Sequence, residues 1–358
     1  MADSIPDVLK AFADGEIVVV TDDDDREGEG DLIVAASLCS AEKMAFIVRH
    51  TSGIVCAPVT SEDARRLRLD PMVAHNDSNY STAFTVSIDY KPGMTTGISA
   101  EERTATCRAL VNSNVGPSDL ARPGHIFPLI ARDGGVLMRS GHTEAAIDLC
   151  RLSGLPLVGV LSELMNDDGT VMKGPQVAAF ADRHKLKHVT IADLIAYRQA
   201  REKLIERVSS FQIDSPVGVL EGHAYRSPFD EIFHLALVYG SVGDGKNVLT
   251  RFHKPNIVKD LFRGPQRVLK ALDHFKSRRS GVLVYLRDGA AGVPVEPLTE
   301  KTSVDADRTR QWREVGVGAQ ILRDLGVSSI CNLSSSSHEY KGLAGFGIEI
   351  TGSEPFEG

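Results

Sequence analysis

The stretch Ile17-Val-Val-Val-Thr-Asp-Asp-Asp-Asp-Arg-Glu-Gly-Glu-Gly-Asp31 runs from an apolar, β-branched segment straight into an acidic one, with seven carboxylates and one arginine between positions 22 and 31. The apolar part reads as a strand and the acidic part as the loop it feeds. Carboxylates this close repel one another, while Gly28 and Gly30 let backbone and ligand approach closely. A hard divalent cation would relieve the repulsion, leaving Arg26 for an anionic substrate. A calcium loop of the EF-hand kind is excluded by spacing: counted from Asp22, the sixth position is Glu27 where glycine is required, and the twelfth is Ile33 where glutamate is required. On composition alone, a solvated acidic turn between two strands stands beside the metal reading, and distant residues have to decide.

The chain has 358 residues, too many for one ordinary core and enough for about two domains. Its 42% hydrophobic and 25% charged content is that of a soluble globular protein. A net charge of −8 argues against nucleic acid or an anionic membrane surface and for a small-molecule partner. No apolar run is long enough to cross a bilayer, and Met1-Ala-Asp-Ser-Ile-Pro6 has no basic region followed by an apolar one, so a cytoplasmic protein is expected. Five cysteines, at 39, 56, 107, 150 and 331, form no Cys-x-x-Cys pair, which speaks against a disulfide framework and a thiolate zinc site.

The fold class expected is α/β (α+β), in two different domains with a boundary near 208–212: residues 1–207 and 208–358. In the first, strands are expected at 16–21, 31–36, 53–57, 83–88 and 157–162, and helices at 4–14, 41–51, 101–113, 143–153 and 190–207. Ser99 with Glu102 three residues on is an N-cap signature. In the second, strands are expected at 216–220, 232–239, 247–252, 281–286 and 346–351, with a helix at 316–325. Asp288-Gly-Ala-Ala-Gly292 and Ser334-Ser-Ser-Ser337 read as loops without the lysine and hydroxyl of a phosphate loop.

Two further polar clusters carry chemistry. In Arg139-Ser-Gly-His-Thr-Glu144, the residues Ser140, Gly141, His142 and Thr143 fall at a helix N-terminus, whose free N–H groups beside Arg139 suit a phosphate while His142 offers a nitrogen to a metal. In Arg122-Pro-Gly-His-Ile-Phe-Pro128, His125 alone reads first as a partly buried histidine hydrogen-bonded in a turn. Glu163, after Leu157–Leu161, is either an exposed strand-end residue or an acid/base aimed into a cleft. The turn Thr95-Thr-Gly-Ile-Ser99 either lines a sugar-phosphate site or caps the helix that follows, capping being the default. Cys56 reads as a small core residue rather than a nucleophile.

Taken together, Asp25-Arg-Glu-Gly-Glu-Gly-Asp31, Thr95-Thr-Gly-Ile-Ser-Ala100, Arg122-Pro-Gly-His-Ile-Phe-Pro128, Gly135-Val-Leu-Met-Arg-Ser-Gly-His-Thr-Glu-Ala145 and Glu163-Leu-Met-Asn-Asp-Asp-Gly169 resemble 3,4-dihydroxy-2-butanone 4-phosphate synthase, in consistent order over nearly all of residues 5–200. One departure is Gly28, where that family usually has asparagine. The resemblance implies conversion of ribulose 5-phosphate to 3,4-dihydroxy-2-butanone 4-phosphate and formate, a step toward riboflavin, with magnesium or manganese. It assigns Glu27 and His142 as metal ligands and His125, Glu163 and Asp31 as catalytic residues. Substrate contacts fall to Arg26, Glu27, Asp31, Thr96, Arg139, Ser140, Gly141, His142, Thr143 and Glu163, with Arg139 and the backbone after it clamping the phosphate. It also implies a homodimer with sites built at the subunit interface. On this reading Asp22 to Asp24 are solvated or structural charge.

Residues 215–350 are similar to GTP cyclohydrolase II, through Gly281-Val-Leu-Val-Tyr-Leu286, Gly316-Val-Gly-Ala-Gln-Ile-Leu-Arg-Asp-Leu-Gly326 and Lys341-Gly-Leu-Ala-Gly-Phe-Gly-Ile-Glu-Ile350. That family's three zinc-binding cysteines are missing between Arg251 and Arg279. Its GTP loop is replaced by Arg287-Asp-Gly-Ala-Ala-Gly292, and Gln311 stands where its aspartate belongs, although Arg313 matches its catalytic arginine. Without thiolates no such zinc centre can activate water. An α/β cyclohydrolase-like domain without that activity and without zinc is therefore expected. His223, His234, His253 and His274 have no metal spacing.

Overall fold

In the computed structural model, which describes residues 2–22, 27–78, 80, 82–203, 205–227, 232–255, 266–287, 316–334, 343 and 347–356, two compact units meet in sequence at Tyr197 and Arg198. The first contains helices α1 (Ile5–Ala13), α2 (Ala41–His50), α3 (Ser61–Leu67), α4 (Ala100–Val111), α5 (His142–Leu152) and α6 (Pro175–His184), while α7 (Ile191–Arg201) runs on into the second. Its strands are β1 (Val18–Thr21), β2 (Gly30–Ala35), β3 (Cys56–Val59), β4 (Ile88–Tyr90), β5 (Leu120–Ile130), β6 (Gly159–Glu163) and β7 (Lys187–Thr190). They form one mixed sheet in the order β4-β5-β3-β6-β2-β1-β7.

Strand alternation sorts the side chains of this sheet. Val19, Leu32 and Val34 share a core with Met44 and Ile47 of α2, Leu110 of α4 and Val177 of α6. The alternate residues of β2, Asp31 and Ile33, therefore point to the opposite face. Helix α5, buried from His142 to Cys150, packs across β1, β2, β3 and β6. Helix starts follow their caps: Ser4, Ser40 and Thr60 accept from the first turns of α1, α2 and α3. Ser99 and Glu102 close the reciprocal capping box at α4 as the sequence indicates.

The second unit holds β8 (Glu206–Ser215), β9 (Gly218–Arg226), β10 (Phe233–Gly240), β11 (Val248–His253), α8 (Gln266–Arg278), β12 (Ser280–Tyr285), β13 (Ser329–Ser334) and β14 (Glu349–Pro355). Its sheet runs β14-β13-β11-β12-β10-β9-β8, parallel from β14 to β12 and antiparallel from there to β8. Residues 316–324 are helical. The helix expected to continue to 207 stops at Arg201, because β8 starts at Glu206. The expected strand at 216–220 takes in the turn of the β8–β9 hairpin and the first three residues of β9. Arg313, Gln311 and the loops at 288–292 and 335–337 lie outside the described residues. Among the described residues no helix is long and apolar enough to cross a membrane.

Candidate active site

The acidic loop is built by the β1–β2 hairpin. Asp22, the first residue after β1, is buried, and its carboxylate accepts the N–H groups of Glu27 at 3.2 Å and Glu29 at 2.9 Å. The loop is thus folded over the Asp22 carboxylate, the structural one of the two alternatives open to this residue. Asp23, Asp24 and Arg26 lie outside the described residues. Gly28 sits at φ 65°, a left-handed conformation that glycine and asparagine both adopt, so the departure from the family's asparagine keeps the loop's shape. Lys173 holds the loop from outside, donating to the Glu27 carbonyl at 2.8 Å and lying 3.6 Å from the Glu29 carboxylate.

Three groups from distant positions converge here. Ligand atoms of Asp22, Glu27 and His142 lie within 4.8 Å of one another, and His142 Nδ1 is 3.8 Å from Glu27 Oε2. His142 is the first residue of α5, whose N-cap Gly141 supplies no side chain, so no side-chain cap hydrogen bond occupies that helix end. Two more carboxylates stand beside them. Asp31 and Glu163 are direct partners across the antiparallel β2–β6 ladder and so share one face of the sheet.

Burial sets the electrostatics. Asp31 is 2% exposed, its Oδ1 has no hydrogen-bond partner among the described residues, and desolvation pushes its pKa up to about 7, with His142 opposing and Glu163, Glu27 and Asp22 adding repulsion. Glu163 is raised by desolvation and then by Glu29 and Glu27, and Glu29 by desolvation and then by Glu27. Mutual repulsion in a carboxylate cluster built around an imidazole is the environment that a divalent cation relieves. Two carboxylates and one imidazole form a mixed oxygen and nitrogen donor set suited to such an ion. Cys56 faces the same charges: burial first, then Asp31 and Glu163, push its thiol far up, as suits a core residue rather than a nucleophile.

Other expected site residues fall elsewhere or hold other partners. Arg139 is committed to Glu144 at 2.6 Å and also donates to the Tyr80 carbonyl and Thr82 Oγ1. Glu144 is 1% exposed and accepts the Arg132 N–H as well, so this ion pair fixes the guanidinium beside the start of α5. Thr143 is buried next to it.

His125 lies on β5, not in a turn. Asp89 holds it twice, accepting its backbone N–H at 2.9 Å and bonding ring Nδ1 at 2.7 Å. Gly97, at φ 86°, brings the Thr95–Ser99 turn against this pair; a Cβ there would collide with the Asp89 carboxylate and stand 2.8 Å from His125 Nδ1. Thr96 is exposed on that turn. His125 and Thr96 therefore belong to a second cluster around Asp89. Beside them, Arg103 donates to the carbonyls of Ile98 and Gly53, next to the exposed side chains of Ile98 and Ile54. Sequence reasoning missed Asp89, Glu144 and Lys173. Asp89, an acid closing the strand-like Thr85-Val-Ser-Ile88, and Glu144, the end of the polar run from Arg139, left a local trace.

Both units match known protein families. The profile of 3,4-dihydroxy-2-butanone 4-phosphate synthase matches residues 6–197, and that of GTP cyclohydrolase II matches residues 206–355. The chain is 43% identical to a monofunctional riboflavin biosynthesis protein, RIBA 2, of Arabidopsis thaliana over 98% of this chain and 76% of that one. It is 40% identical to the 3,4-dihydroxy-2-butanone 4-phosphate synthase of Neisseria meningitidis over 99% and 98%. The crystal structure of RibBX, a two-domain 3,4-dihydroxy-2-butanone 4-phosphate synthase from A. baumannii, superposes with a TM-score of 0.80 at 35% identity, covering 98% of this chain and 99% of that one. A synthase structure in complex with two magnesium ions, 47% identical, covers 56% of this chain and 98% of its own with a TM-score of 0.55. Fold, site and relatives define a lyase of riboflavin biosynthesis. The chain belongs to the 3,4-dihydroxy-2-butanone 4-phosphate synthase family and carries a GTP cyclohydrolase II-like second unit.

Proposed function

We propose that the first unit converts D-ribulose 5-phosphate to L-3,4-dihydroxy-2-butanone 4-phosphate and formate, with Glu27 and His142 holding a magnesium or manganese ion. The observation that carries this reading is the Asp31–Glu163 pair, raised in pKa and facing the same face of the sheet as α5. The bound ion would act as a Lewis acid on the sugar oxygens, easing proton loss at C1. Asp22 positions the loop that presents Glu27 through the two N–H groups it holds.

Asp31 is the base for the C1 proton, since a carboxylate with a pKa near neutrality is matched to proton transfer at physiological pH. Glu163, exposed at the end of β6, exchanges protons with solvent and returns them as the C1 hydroxyl leaves as water, the skeleton shifts and C4 departs as formate. The water lost at C1 is regained in formate, so five carbons divide into four and one with no other reactant. Arg139, aimed by Glu144, works with Ser140, Gly141, Thr143 and the first turn of α5 to hold the phosphate. Arg26 is assigned to the substrate on the family motif.

His125 and Thr96 act on the site of a second copy. The exposed Ile54 and Ile98 beside them support a homodimer with shared sites, and a cytoplasmic location belongs to the same reading. Mixing His125→Ala subunits with Glu27→Gln subunits tests this: half the dimers are mixed and each has one intact site, so formate production recovers to about a quarter of wild type. No recovery after verified subunit exchange would refute the shared site.

The second unit is proposed to lack GTP cyclohydrolase activity, because Cys331 is its one cysteine and three thiolates cannot be assembled. Zinc-dependent release of formate and pyrophosphate from GTP would overturn that.

A further inference from the structure

Helices α2 and α6 end alike. Phe46 and His50 stand four residues apart with His50 closing α2, and Phe180 and His184 repeat the spacing with His184 closing α6. Residues at this spacing are neighbours on a helix face. The four rings pack into one cluster with centroid separations from 4.3 to 6.3 Å. Phe180 is buried and Phe46 packs against the core, while both histidines are half-buried at its edge.

Packing accounts for four rings but not for two imidazoles. Phenylalanine at either position would fill similar space without nitrogen atoms to solvate. Two of the other described histidines of the first unit use theirs: His125 on Asp89, His188 on Thr21. Among the described residues the ring nitrogens of His50 and His184 have no hydrogen-bond partner, so they are left to solvent or a ligand.

Their separation suits a ligand. Imidazole nitrogen binds zinc at about 2.0–2.1 Å, placing each ring centroid about 3.2 Å from the ion and two tetrahedrally disposed centroids about 5.2 Å apart. The centroids of His50 and His184 are 5.1 Å apart. We propose that His50 and His184 form a two-imidazole site for a borderline divalent transition ion of the zinc, cobalt or nickel class, separate from the Asp22, Glu27 and His142 cluster. Imidazole prefers such ions over magnesium, so the two sites select different metals. Solvent completes the coordination.

The ion would tie α2 to α6, and both lead to the active site. After His50 the chain turns through Thr51 to Ser52, whose N–H donates to the Glu163 carbonyl at 2.8 Å. Just before α6, Lys173 donates to the Glu27 carbonyl at 2.8 Å. A clamp across the two helix ends braces the segments on either side of the acidic cluster.

The test is calorimetric titration of the full chain with cobalt(II) or zinc in a Glu27→Gln, His142→Ala background, which removes the first site. One ion per chain is expected to bind, with millimolar magnesium unable to displace it. Adding His50→Gln or His184→Gln should raise the dissociation constant at least about tenfold. His184→Phe keeps a ring in place and removes the nitrogens; equal loss there, with unchanged circular dichroism, separates ligation from packing. Absence of binding in the background protein, or affinity unchanged by these substitutions, overturns the proposal.

Discussion

Replacing Asp31 with asparagine removes the carboxylate that burial penalises most clearly beside the candidate metal cluster, and the cost can be worked out. Its pKa stands at about 7 in the folded protein against 3.8 for an unperturbed aspartate. A difference of about 3 units at about 1.4 kcal/mol each gives about 4 kcal/mol. The folded state holds the proton more tightly than the unfolded chain. Asp31 therefore costs nothing below pH 3.8, and its destabilisation grows as pH rises to about 7, where it reaches its full value. In chelator, the Asp31→Asn protein should match wild type at pH 4 and exceed it by up to about 4 kcal/mol at pH 8, less whatever the new amide loses by remaining unpaired. Urea-dependent hydrogen exchange at the amides of β1 and β2 reads this for the first unit alone. Magnesium should narrow the gap by stabilising the wild-type carboxylate, and the variant should release no formate. A stability difference that does not grow between pH 4 and pH 8 would falsify the reasoning, because it would mean that Asp31 ionises without penalty.

Other substitutions probe the supporting contacts. Glu144→Gln leaves Arg139 without its carboxylate in a largely buried position and should cost about 3–5 kcal/mol, read by thermal unfolding, together with a raised KM for the sugar phosphate. Asp89→Asn keeps an acceptor for the His125 backbone but alters the group facing ring Nδ1; kcat should fall about a hundredfold with an unchanged melting temperature and a shifted pH profile. Ser99→Ala breaks the capping box of α4 and should cost about 1 kcal/mol by denaturant titration.

Local chemistry that writes itself into neighbouring residues was legible in the sequence. The Val18–Val20 run gave β1, Ser99 and Glu102 gave the start of α4, and the glycine before His142 marked the start of α5. Strand β5 was hidden because Pro123 and Pro128 and the polar Arg122 and His125 interrupt any alternating pattern. Strand β8 was hidden for the opposite reason: nearly all of it is exposed, so its residues carry no buried stripe and read on from the charged helix before it. Within the site, the acidic run advertised a cation but not which carboxylate would fold inward. Asp22 closes the loop through the N–H groups of Glu27 and Glu29, a three-dimensional fact. Partners such as Glu144 for Arg139 and Lys173 for the loop depend on chain folding that no local spacing records.

The central claim is that Glu27 and His142 hold one divalent ion for lyase chemistry on a sugar phosphate. Formate release from ribulose 5-phosphate, followed with and without magnesium in wild type, Glu27→Gln and His142→Ala, measures it directly. Magnesium-dependent formate is expected from wild type and none from either variant, with all three proteins folded. Magnesium-independent release, or near-normal rates in either variant, would contradict it.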